Sequence, residues 1–144
     1  CDLAGMTEVV DIRMGDARAV MAAADSLLLA SGTVTLEAML VGRPMVVAYK
    51  VAPLTAWLAR TFNILKIEHF SLPNLLAGRR LVPELLQEEA NGPTLGAAVL
   101  EQLQDADLRQ AMVGQFADLG ALLRRSASER AADAVIELLE AERQ

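Results

Sequence analysis

The chain has one cysteine and one histidine in 144 residues. No internal disulfide can close, and no Cys/His cluster has the spacing of a zinc site. A lone thiol fits a reducing, cytoplasmic setting. Positive charge is also scarce: 13 Lys and Arg against 19 Asp and Glu give a formal charge of −6. Without a basic block the chain has no footprint for a phosphate backbone, which argues against nucleic acid as a partner. Long hydrophobic runs are missing as well. The stretch Ala17 to Ala24 is broken by Arg18 and falls short of the roughly 18 apolar residues that a spanning helix needs. Aromatic residues make up only 3%, so the apolar content lies mostly in Leu, Ala, Val and Met.

That apolar content is high. At 53% hydrophobic residues the chain can build a real core, and intrinsic disorder is excluded. A mean hydropathy of +0.32 leaves contact with lipid or with another domain open. The sequence opens on Cys1 rather than on methionine and reaches patterned sequence almost at once, so it reads as a piece of a longer protein. No repeat or linker divides residues 1–144, which are taken as one unit with a helical tail from about Thr94.

The pattern along the chain is α/β. Glu8 to Asp11 reads as a short strand and Gly15 to Ala24 as an amphipathic helix. Asp25-Ser26-Leu27-Leu28-Leu29-Ala30 is then a compact apolar run of the kind found in buried parallel strands. It ends in Ser31-Gly32, where a helix should begin and run to Val41, stopped by Gly42-Arg43-Pro44. Met45 to Tyr49 is a second buried-type strand, and Leu54 to Phe62 a further helix. The stretch from Lys66 to Asn74 reads as irregular, followed by a turn at Gly78-Arg79-Arg80 and a short helix from Pro83. Three helices close the chain, at 94–103, 106–123 and 126–140, the last opened by a Ser126/Glu129 capping box.

In open parallel sheets ligands bind beyond the carboxyl ends of the strands, at loops that lead into helix N-termini. Ser31 to Thr35 occupies such a place. Gly32 lets a ligand approach the backbone, the N–H groups of Thr33 and Val34 would point at an anion, and the hydroxyls of Ser31, Thr33 and Thr35 add donors. Glu37, one turn along, can accept from ribose hydroxyls. The same pattern also describes an ordinary helix cap with a solvated glutamate, and spacing does not decide between the two.

Larger blocks do. Ser31-Gly32-Thr33-Val34-Thr35-Leu36-Glu37-Ala38-Met39-Leu40 and Pro44-Met45-Val46-Val47-Ala48-Tyr49 resemble lipid A disaccharide synthases. So, above all, do Ser71-Leu72-Pro73-Asn74-Leu75-Leu76-Ala77-Gly78-Arg79 and Pro83-Glu84-Leu85-Leu86-Gln87-Glu88. The likeness runs from about Ala24 to the C-terminus, and several blocks together are far more specific than one. It implies the Rossmann-like C-terminal domain of a GT-B glycosyltransferase, in which two such domains face each other across a cleft and the C-terminal one holds the donor nucleotide.

The resemblance implies transfer of 2,3-diacylglucosamine from UDP to the 6-hydroxyl of 2,3-diacylglucosamine 1-phosphate, with release of UDP. It assigns Ser31, Gly32, Thr33 and Val34 to the diphosphate, Glu37 to the ribose, and Asn74 to the uridine diphosphate or donor sugar. Neither metal nor cofactor is expected, because a helix N-terminus and polar groups can offset the diphosphate charge. The catalytic base and a further phosphate loop are expected in an N-terminal domain outside this chain, so the fragment alone should be inactive. Tyr49 and Lys50 lie past a strand end, and His69 precedes Phe70 in an irregular stretch; all three read more simply as structural or solvated residues. Leu54, Trp57, Leu58 and Phe62, with Lys50, Arg60 and Lys66, suit either a peripheral membrane contact on the cytoplasmic face or a protein interface, a homodimer included. Two alternatives stay open at this point: another GT-B enzyme such as a UDP-N-acetylglucosamine 2-epimerase, and a non-catalytic nucleotide-sugar-binding module.

Overall fold

The computed structural model describes residues 10–50, 69–124 and 127–141. Along the chain run α1 (Ala17–Ala23), β1 (Leu27–Ala30), α2 (Thr33–Val41), β2 (Met45–Tyr49), α3 (Leu72–Ala77), β3 (Glu84–Leu86), α4 (Gly92–Gln104), α5 (Ala106–Leu123) and α6 (Ala127–Ala141). The three strands form one parallel sheet in the order β1-β2-β3. Leu27 pairs with Met45 and Ala30 with Ala48, while Val47 pairs with Glu84 and Tyr49 with Leu86. The parallel α/β architecture with a helical C-terminal part is thus the one the sequence pattern points to. Parallel pairing also brings the carboxyl ends of all three strands to one edge.

Local chemistry sets the element ends. Asp16 caps α1, its carboxylate accepting from the Ala19 N–H at 3.3 Å. Gly42 ends α2 at φ 73°, a left-handed conformation that glycine adopts without a Cβ clash. Asn91 caps α4 and Asp105 caps α5 through the N–H groups of Thr94 and Leu108. Arg109 donates to the carbonyls of Gln102 and Leu103 at 2.6 Å each, placing a cation where the carbonyls of α4 run out of partners.

The core gathers Met21, Leu27, Ala38, Met39, Met45, Val47, Val82, Met112 and Phe116. Val46 is buried as well, so the middle strand presents no residue to water between Met45 and Val47, as a strand covered on both faces requires. A polar tie joins α4 to the sheet. The Gln102 side chain is fully buried, accepting from the Ser26 hydroxyl at 2.6 Å and donating to the Met45 carbonyl at 2.9 Å. Both ends of a buried amide are thereby paired, which avoids the cost of burying it.

Two expectations change. The helix expected from Pro83 is instead the strand β3. Proline suits the start of a strand as well as the first turn of a helix, and here its carbonyl accepts from Val47 N–H at 2.9 Å, drawing the following residues onto β2. The stretch up to Asn74 is not irregular throughout: Ser71 caps a helix that starts at Leu72 and carries Pro73 in its first turn. Of the strand expected at Glu8 to Asp11, only Val10 and Asp11 are described, and both are irregular. The expected helix at 54–62 and Ser126 of the capping box lie outside the described residues.

Candidate functional site

The candidate site lies where β1 turns into α2. Ser31 still belongs to the sheet through its N–H, which donates to the Ala48 carbonyl at 3.1 Å. Gly32 follows at φ 151° and ψ −170°, backbone angles open to glycine and rarely to a residue with a Cβ, and α2 begins at Thr33. No side chain among the described residues caps this helix. The first N–H turned inward is that of Thr35, which donates to the Gly32 carbonyl at 3.1 Å. The N–H groups of Gly32, Thr33 and Val34 have no acceptor among the described residues. Three adjacent donors at the positive end of a nine-residue helix, paired with no described neighbour, are able to donate to an anion.

The hydroxyls are arranged otherwise than the sequence reading expects. Ser31 Oγ donates its proton to the Phe70 carbonyl at 2.8 Å, and Thr35 Oγ1 donates to the Gly32 carbonyl at 2.7 Å. Thr35 is fully buried. Of the three, only Thr33, exposed at the helix start, keeps a hydroxyl without a partner among the described residues. Glu37 is exposed one turn further along, on the same helix. Ser31, Gly32, Thr33 and Val34 are therefore brought together at the start of α2, with Glu37 at the middle of the same helix.

Asn74 is placed differently. It is fully buried, its Oδ1 accepts from the N–H groups of Leu81 and Val82 at 2.6 and 2.8 Å, and its Nδ2 donates to the Val82 carbonyl at 3.0 Å. The amide is engaged in holding the turn that leads into β3. Beside it lies a residue to which the sequence reading attached no role. Glu84 is 9% exposed; its carboxylate accepts from Phe70 N–H at 3.1 Å and from Ser71 N–H at 2.6 Å. An acidic residue inside the apolar run Leu81-Val82-Pro83-Glu84-Leu85-Leu86 was the available signal. Phe70 also stacks on Tyr49, ring centroids 5.9 Å apart, so the 69–71 segment, the end of β2 and the start of α2 meet at the carboxyl edge of the sheet. His69 is half-buried next to this stack, and Lys50 is exposed past the end of β2.

The chain contains one Asp-x-Asp triplet, Asp105-Ala106-Asp107. It lies elsewhere: Ala106 borders a depression shared with Asp25 and Pro44, which precede β1 and β2, and the Asp105 carboxylate is engaged in capping α5.

Comparison with known proteins gives the family. A family model described as lipid-A-disaccharide synthetase matches residues 6–136. The chain is 53% identical over 124 residues to a lipid-A-disaccharide synthase of Xylella fastidiosa strain M23, covering 86% of this chain and 32% of that protein. It is 54% identical over 132 residues to the lipid-A-disaccharide synthase of Chromohalobacter salexigens, covering 92% of this chain and 34% of that protein. For the Xanthomonas euvesicatoria pv. vesicatoria enzyme of the same name the identity is 52% over 126 residues, or 88% of this chain and 29% of that protein. The chain thus spans about a third of the length of these relatives. Matches of this extent and identity give no support to the epimerase alternative, and they show that the chain belongs to the lipid-A-disaccharide synthetase family.

Proposed function

We propose that this chain is the donor-binding portion of a UDP-sugar-dependent glycosyltransferase that moves 2,3-diacylglucosamine from UDP to 2,3-diacylglucosamine 1-phosphate. The observation that carries this reading is the set of N–H groups of Gly32, Thr33 and Val34, unpaired among the described residues, at the carboxyl edge of a parallel sheet in a chain of this family. Neutral donors fixed by a helix bind the diphosphate in the ground state. They also favour the negative charge that grows on it as the bond to the sugar carbon breaks.

Each residue then takes a role consistent with its surroundings. Gly32, Thr33 and Val34 hold the diphosphate through the backbone, and the Thr33 hydroxyl adds a donor. Glu37 accepts from the ribose. Ser31, whose proton is already directed to Phe70, shapes the mouth of the site rather than donating to phosphate. Asn74 holds the turn that leads into β3, its own amide facing Leu81 and Val82 rather than the ligand. The acceptor 6-hydroxyl attacks the sugar carbon and UDP departs; the base that takes the hydroxyl proton sits on the N-terminal domain. Acylated substrates draw such an enzyme to the cytoplasmic face of a membrane as a peripheral protein. No helix among the described residues is long and apolar enough to cross one.

The test is a UDP-release assay on the full-length protein with both acylated substrates. Glu37→Ala should raise the KM for the donor while leaving the acceptor KM in place. Wild-type protein that folds but releases no UDP would remove the activity, and an unchanged donor KM in Glu37→Ala would remove the ribose contact.

A further inference from the structure

We infer that Glu84 is a positioning residue for the donor site: its buried carboxylate fixes the Phe70–Ser71 backbone, and through the Phe70 carbonyl it sets the Ser31 hydroxyl as an acceptor beside the α2 N-terminus. The inference rests on the nucleotide-site reading given above.

The connection runs through four hydrogen bonds. Both Glu84 oxygens lie 3.1 Å from Phe70 N, and Oε1 lies 2.6 Å from Ser71 N. The Phe70 carbonyl in turn receives the Ser31 proton at 2.8 Å. A carboxylate this deeply buried is costly unless its lone pairs are filled, and two backbone N–H groups fill them with charge-assisted bonds. The path ends at Ser31, and the Ser31 hydrogen is thereby turned away from any ligand. The oxygen keeps only its lone pairs, so it repels a phosphate oxygen and suits a hydroxyl or N–H of the donor. The same clamp holds the Phe70 ring against Tyr49 at the end of the adjacent strand. Glu84 thus governs two walls of the site from β3 without reaching the ligand.

The full-length enzyme tests this with steady-state kinetics. Glu84→Gln keeps the volume but replaces one acceptor oxygen by an NH2 group that must face backbone N–H. The donor KM should rise about tenfold, the effect of losing one charge-assisted hydrogen bond, with the acceptor KM within about twofold of wild type. Should Glu84→Gln fail to fold, Glu84→Asp keeps the charge and draws the carboxylate back by one methylene; the same donor-selective rise is expected. Ser31→Ala cuts the path at its other end, so combining it with Glu84→Gln should raise the donor KM no further than the larger single effect. Gln102→Ala controls for mere destabilisation, because it removes a buried polar tie at the opposite ends of the strands. It should lower thermal stability and leave the donor KM alone. A donor KM unchanged in Glu84→Gln, or raised equally by Gln102→Ala, or additive with Ser31→Ala, overturns the inference. Gly32→Val separates the two readings: if it abolishes donor binding while Glu84→Gln does not weaken it, only the role of Glu84 falls, and if it leaves donor binding intact the nucleotide site itself falls.

Discussion

Ser31 and Phe70 are 39 residues apart in sequence, and the hydroxyl of the first donates to the carbonyl of the second at 2.8 Å. The bond joins the β1–α2 turn to the segment that enters α3, two pieces of chain with no backbone pairing between them. Ser31→Ala leaves the half-buried Phe70 carbonyl without this donor. The expected cost is about 1 kcal/mol of folding stability, read from the denaturation midpoint of the full-length protein. Ser31→Thr keeps the hydroxyl and should recover most of that loss.

A larger loss is expected at Asn74. Its side chain serves two backbone N–H groups and one carbonyl, all at the turn before β3, and all three would be left unpaired in Asn74→Ala. Buried unpaired groups cost about 1–3 kcal/mol each before relaxation, so a net loss of about 3 kcal/mol is reasonable. Activity should fall in step with the folded fraction. At temperatures where Asn74→Ala remains folded, its donor KM should stay near that of wild type; a large KM rise in fully folded protein would instead place the amide at the ligand.

How far these features could be read in the sequence depends on the range of the interaction that makes them. The apolar run Leu27–Ala30, the Gly42 stop and the caps at Asn91 and Asp105 are local, and residue type and spacing suffice to find them. β3 is not local. Pro83-Glu84-Leu85-Leu86 has residues that suit a helix, and only pairing with Val47 and Tyr49 makes it a strand. Within the candidate site, Gly32, Thr33 and Val34 were visible because a strand, a small-residue turn and a helix follow one another directly. Glu84 and the inward turn of the Ser31 and Thr35 protons were hidden, since a hydroxyl's direction depends on which carbonyl the fold brings near. For Ser31 that carbonyl comes from Phe70, beyond β2.

The helical layer yields a prediction independent of any ligand. Phe116 is 1% exposed and lies in the same cluster as Met39 and Met112. Phe116→Ala removes a ring that neighbouring helices cannot easily replace, at a cost of about 3–5 kcal/mol. Phe116→Leu, which keeps most of the volume, should lose less than half of that. Thermal unfolding of the two variants gives the comparison. Equal and small shifts would mean that α5 is not held through this ring.

Gly32 joins the structural and functional expectations at one residue. Its φ of 151° strains any L side chain, although a Cβ there would meet no atom within 4 Å. Gly32→Ala is thus opposed by backbone geometry and not by crowding, and about 1–3 kcal/mol is the scale of such strain. The protein can relieve it only by rotating the peptide that precedes α2. That rotation reorients the Gly32 and Thr33 N–H groups, so UDP binding should weaken more than stability does. Calorimetric titration of UDP into the full-length protein, beside its thermal midpoint, measures both. Should Gly32→Ala lower the midpoint while UDP binds as tightly as before, the diphosphate is held elsewhere and the N–H groups at the start of α2 are only a helix end.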